Sequence, residues 1–107
     1  LIGKARVMVS VDECDEAVSL YDKAISLDEK CYDAHLGRGY ALTAMENMPA
    51  AIKAFKRAVK LDKNAVEPHV QLQEIYEQIG LDDMADVQKS IIDKLRQRKR
   101  KKNNKKD

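Results

Sequence analysis

Tryptophan is absent, and four tyrosines and one phenylalanine make the aromatic share only 5%. With 44% apolar residues, that composition suits helices packed through Ala, Leu and Val and argues against a sheet. No apolar run approaches the roughly 20 residues a membrane-spanning helix needs, and the N-terminus lacks a signal peptide's charged start and long apolar core. The chain is therefore expected to be soluble. Cysteine is scarce too: Cys14 and Cys31 lie 17 positions apart with no CxxC spacing. At about 1.5 Å per residue, roughly 20 Å of helix would separate them, far beyond disulfide reach. Reduced thiols place the protein inside the cell, with the cytoplasm favoured and the nucleus as the alternative.

The constellations that carry chemistry are missing as well. There is no Gly-rich phosphate loop and no Ser/His/Asp or Cys/His order that a helical fold would bring together. Cys31 and His35 supply two ligands where a zinc site needs four. The acid pairs Asp12-Glu13 and Asp82-Asp83 stand at expected helix starts, where the helix dipole favours them without any reaction. No enzyme activity, metal or cofactor is expected.

What the chain does have is a spacing. Ala17, Ala51 and Ala85 recur every 34 residues, each near the start of an amphipathic stretch. At the same offset Tyr21 pairs with Phe55, Ala24 with Ala58, Ile25 with Val59, Leu27 with Leu61 and Asp28 with Asp62. The segments ahead of them match more loosely, with His35 against His69, Ala34 against Pro68, Gly39 against Gln73 and Leu42 against Tyr76. Six helices follow, near residues 1–10, 13–28, 31–46, 49–62, 65–79 and 82–101. The strand-like run at residues 7–11 is read as a helix end from its place in the repeat. Pro49 and Pro68 fall in first turns, Asp12, Asn47 and Asp82 offer capping oxygens, and Gly80 suits the left-handed residue after a helix.

This layout resembles the tetratricopeptide repeat family, through Gly39 in its small-residue slot, Ala51, Phe55 and Ala58 on the following helix, and Gly80 at a turn. His35 and His69 stand where that family prefers Trp, Glu29 and Lys63 where it prefers Pro, and Lys89 in an aromatic slot. The resemblance implies an all-α solenoid of about three helix-turn-helix units coiled as a right-handed superhelix. The units span about residues 1–31, 32–65 and 66–95, followed by a basic helical extension at 96–107. It also implies that Ala34, His35, Arg38, Gly39, Leu42 and Met45 turn toward their own unit's second helix. The opposite stripe would line a concave groove that holds a peptide or partner helix. That stripe comprises Asp33, Leu36, Gly37, Tyr40, Thr43 and Ala44, then Glu67, Val70, Gln71, Glu74, Glu77 and Gln78. A carboxylate clamp of Lys, Asn and Arg known in the family is replaced here by Ile2, Arg6, Gly37, Tyr40, Glu67 and Gln71, so only Arg6 fits. An acidic groove favours a basic or amphipathic protein segment. Solvated surface acids remain the simpler alternative.

Charge divides sharply along the chain. Residues 96–107 hold eight basic side chains (Arg96, Arg98, Lys99, Arg100, Lys101, Lys102, Lys105, Lys106) and one acid, net +7. Residues 1–95 hold 12 basic and 17 acidic side chains, net −5. The tail has several readings: nucleic-acid phosphates, an anionic membrane surface, a nuclear signal, or a disordered solubilising end. A further one is competition for the acidic groove, within the molecule or in a homo-oligomer. The function expected is a non-enzymatic interaction scaffold, with a nucleic-acid-associated component anchored by the tail as the alternative.

Overall fold

A computed structural model describes the backbone of residues 11–105 and the side chains of residues 13–99. The helix expected at residues 1–10 lies outside the described residues, as do Ile2 and Arg6. The described chain is all helical: α1 (Val11–Leu27), α2 (Tyr32–Ala44), α3 (Met48–Leu61), α4 (Glu67–Gln78) and α5 (Asp82–Lys105). Each helix packs on the next one in sequence. Most are too short to persist alone in water, so tertiary packing supplies their stability.

The 34-residue spacing recurs in the hydrogen bonds. The turn after α2 closes with Asn47 N–H donating to the Leu42 carbonyl at 2.9 Å, and the turn after α4 with Leu81 N–H donating to the Tyr76 carbonyl at 2.8 Å. Both closures need a left-handed residue just before the donor. It is Gly80 (φ 83°) in the second turn, as its sequence position suggests, and Glu46 (φ 62°) in the first. The loops between hairpins repeat as well. The Asp28 Oδ1 accepts from Lys30 N–H at 3.0 Å, and the Asp62 Oδ1 accepts from Asn64 N–H at 3.1 Å. An Asx turn thus closes each hairpin at the place where Glu29 and Lys63 stand instead of proline.

The core is one cluster of Leu42 from α2, Ala51, Ala54 and Phe55 from α3, Leu72, Ile75 and Tyr76 from α4, and Ala85 from α5. Phe55 is 0% exposed and Tyr76 1%. Burial of an aromatic or aliphatic side chain of this size contributes about 1.5–3 kcal/mol each. Small residues set the spacing between helices. A Cβ on Gly39 would stand 2.7–2.9 Å from the Phe55 ring, so α2 and α3 touch through a missing side chain. The Phe55 ring also meets Tyr40 edge-on, with centroids 5.5 Å apart.

Several local expectations give way. Asn47 is the N-cap residue of α3 but makes no side-chain cap bond. Asp12 lies inside α1, and Asp82 is the first residue of α5 and not its cap. Arg38 turns away from its own unit's second helix and pairs with Asp22 of α1, Nε to Oδ1 at 2.7 Å. His35 reaches back as well, its Nε2–H donating to the Glu29 carbonyl at 3.0 Å. Ala34, Gly39 and Leu42 are buried, and Gly39 and Leu42 meet α3 as expected. Finally, α5 runs through the 95/96 boundary, as the helix expected at 82–101 does, and continues to Lys105.

Candidate functional site

The stripe singled out on α2 and α4 divides into exposed acids and half-buried apolar groups. Asp33, Glu67, Glu74, Glu77, Gln78 and Ala44 are exposed, whereas Leu36, Tyr40, Thr43, Val70 and Gln71 are half-buried. Tyr40 links the two helices, because its hydroxyl donates to the Glu67 carboxylate across the α2–α4 step. One carboxylate is therefore held beside Tyr40, which, like Leu36, packs against the core cluster.

Tyr32 reports the same negative field from the N-terminal end of α2. Its phenol is raised above the ordinary tyrosine value, first by burial and then by the carboxylates of Asp62, Glu67 and Asp33. Asp62 was not among the residues read as groove-lining from the repeat. Its pairing with Asp28 was visible, but an aspartate in a loop is explained by turn chemistry alone. Further along, Gln73 donates to Glu77 at 3.3 Å, leaving Glu74 as the neighbouring exposed acid on α4.

Two members of the stripe do different work. Gly37 backs onto α1, where an added Cβ would lie 2.4–2.7 Å from the far end of the Tyr21 ring. Its place is the seam between successive hairpins. Thr43 spends its hydroxyl on the Gly39 carbonyl of its own helix at 2.8 Å. The two histidines are engaged also: His69 is 5% exposed, with Nδ1 2.7 Å from Gln88 Oε1 on α5. Cys14 is buried in the first turns of α1 and Cys31 is half-buried ahead of α2, both as free thiols. Among the described residues, no group of three or more His, Cys, Asp and Glu is placed to hold a metal ion, and no helix is long and apolar enough to cross a membrane.

Of the basic residues near the C-terminus, Arg96, Arg98 and Lys99 are exposed on α5. Arg100, Lys101, Lys102 and Lys105 continue the same helix, and Lys106 lies outside the described residues.

The tetratricopeptide repeat pattern matches residues 32–64. That stretch comprises α2, α3 and the Asx turn that follows, so the similarity covers one two-helix unit; repeats of this kind generally serve protein–protein interaction and are typically non-catalytic. No curated protein matches the chain.

Proposed function

We propose that this protein is an interaction scaffold whose first helices, α2 and α4, form the inner wall of a right-handed superhelical stack and hold a basic or amphipathic segment of a protein partner. The Tyr40–Glu67 bond carries the reading, since it ties successive first helices together and fixes a carboxylate next to a residue packed on the core. Glu74 and Glu77 extend the negative wall about two and three turns further along α4, and Asp33 begins it. A guest helix with Leu or Val on one face and Lys or Arg beside it would match the apolar strip of Leu36, Tyr40 and Val70 and the acids that border it. The repeat domain then covers residues 1–95, in units of about 1–31, 32–65 and 66–95, and residues 96–107 form a basic extension.

A second reading rests on α5. Because Arg96, Arg98 and Lys99 are presented on a continuous helix, the extension offers a cationic rod to nucleic-acid phosphates. Calorimetric titration separates the two. The scaffold reading expects a basic amphipathic peptide to bind, a charge-reversed peptide not to bind, and Glu74→Lys with Glu77→Lys to weaken binding by about tenfold. Removal of residues 96–107 should leave that affinity intact. Binding to RNA that falls steeply with salt and vanishes with those residues, with no peptide binding, would favour the second reading.

A further inference from the structure

Down one side of α5 runs a line of residues that neither the core nor the groove uses. Met84 is 40% exposed and Val87 55%, and Ile91 follows one turn later, half-buried. Steps of three and four keep them on one flank of the helix. The positions 34 residues earlier on α3 are Ala50, Lys53 and Arg57, and on α1 they are Glu16, Ser19 and Lys23. Lys53, Arg57, Glu16, Ser19 and Lys23 are all exposed. The last hairpin thus carries large apolar groups where its two predecessors carry charge, a hydroxyl or a methyl group. Leu81, 44% exposed, widens the strip at its start.

This flank is not the one by which a hairpin stacks on the next. Stacking uses Tyr21 and Asp22 of α1, which meet Gly37 and Arg38 of α2, and Phe55 of α3, which is buried with Leu72, Ile75 and Tyr76 of α4. The equivalent positions of α5 are Lys89 and Ser90, both exposed and polar. Nor is it the groove, since the groove residues stand on first helices and the strip stands on a second helix.

The charge on α5 changes sign along its length. Asp82, Asp83 and Asp86 open the helix, and Lys94, Arg96, Arg98 and Lys99 follow the apolar strip, with Lys89 and Asp93 as exceptions two residues on either side of Ile91. Asp83 and Arg98 lie eight and seven residues on either side of Ile91, which is about 12 and 11 Å of helix. A helix with acid at one end, base at the other and an apolar strip between is complementary to a copy of itself running in the opposite direction. We infer that two copies of the chain pair through antiparallel α5 helices crossing near Ile91, with Asp83 of each beside Arg98 of the other. A parallel pair would set like charges together. The contact is isologous, as a two-fold dimer requires.

Sedimentation equilibrium of the full chain across the micromolar to millimolar range tests this. The wild type should show a monomer–dimer equilibrium. Val87→Lys and Ile91→Arg install the residues that α3 holds at these positions, and each should raise the dissociation constant at least about tenfold. Circular dichroism melts verify folding, with Val87→Ser, the α1 counterpart, in reserve. Asp82→Lys with Asp83→Lys should weaken pairing similarly, and adding Arg98→Glu and Lys99→Glu to the same chain should restore it. A chain that stays monomeric throughout, a folded Val87 variant that pairs like wild type, or a double-end reversal that fails to restore pairing overturns the inference.

Discussion

Gly39 and Gly37 lie two residues apart on opposite faces of the same helix, and alanine should have opposite effects at the two. In a helix interior, glycine to alanine gains about 1 kcal/mol from backbone entropy and propensity. At Gly39 the new Cβ would come 2.7–2.9 Å from three atoms of the Phe55 ring. That ring is 0% exposed and held by Tyr40 and the α4 side chains, so it has nowhere to go. Overpacking of this kind costs about 1–3 kcal/mol, leaving a net loss on the order of 1 kcal/mol. At Gly37 the contact is closer, 2.4 Å, but the obstacle is the hydroxyl end of Tyr21, which is half-exposed and can swing outward. There the propensity gain should survive, with stability unchanged or raised by up to about 1 kcal/mol. Urea unfolding followed by circular dichroism would read the contrast as a difference of about 2 kcal/mol between the variants. Equal effects, or a Gly39→Ala protein more stable than wild type, would refute the claim that the α2–α3 spacing is fixed by a missing side chain.

Other substitutions probe single features. The Tyr76 hydroxyl is buried without a hydrogen-bond partner, so Tyr76→Phe should raise stability by about 1 kcal/mol and the melting temperature with it; a drop would mean the hydroxyl is satisfied after all. Glu46 sits in the left-handed region, and Glu46→Gly should gain about 0.5–1 kcal/mol in thermal unfolding, while Glu46→Val should lose at least as much. Tyr32, raised above its ordinary value of 10.0 by burial and by Asp62, Glu67 and Asp33, favours its neutral form when folded. Its contribution to stability is therefore intact below that value and is lost as pH climbs through the raised one. The absorbance difference between wild type and Tyr32→Phe should place its ionisation above that of free tyrosine, and Asp62→Asn should bring it down. An unmoved midpoint in Asp62→Asn would remove the carboxylate from the account.

The repeat was legible because its period is written in residues that face the core. Ala51, Ala85, Phe55 and Leu42 are buried, and a period in buried positions is what packing enforces. Helix limits came within two residues for most elements, as 31–46 against Tyr32–Ala44 illustrates. The turns were less legible. Glutamate gives no signal for a left-handed backbone, so Glu46 was invisible beside Gly80. Asn47 resembled a cap and does stand at the N-cap of α3, but its side chain makes no cap bond. Side-chain direction was hardest at the seams between hairpins. A long flexible residue such as Arg38 finds an acid within reach, and α1 supplies Asp22 whereas α3 carries no acid at all. The resemblance set Gly39 toward the second helix of its unit and Gly37 on the opposite stripe, but that Gly37 closes on Tyr21 of α1 could not be read from the sequence. The acidic character of the candidate wall could be read from residue types alone, whereas the Tyr40–Glu67 tie across helices depends on distances that no spacing rule supplies.

The central claim is that the first helices form an acidic, partly apolar wall for a guest. Backbone amide NMR during titration of a basic amphipathic peptide tests it most directly. Shifts should concentrate at Asp33, Leu36 and Tyr40 on α2 and at Glu67, Val70, Gln71 and Glu74 on α4. Shifts confined to Lys53 and Arg57 on α3 or to Ser90 on α5, or none at saturating peptide, would contradict it.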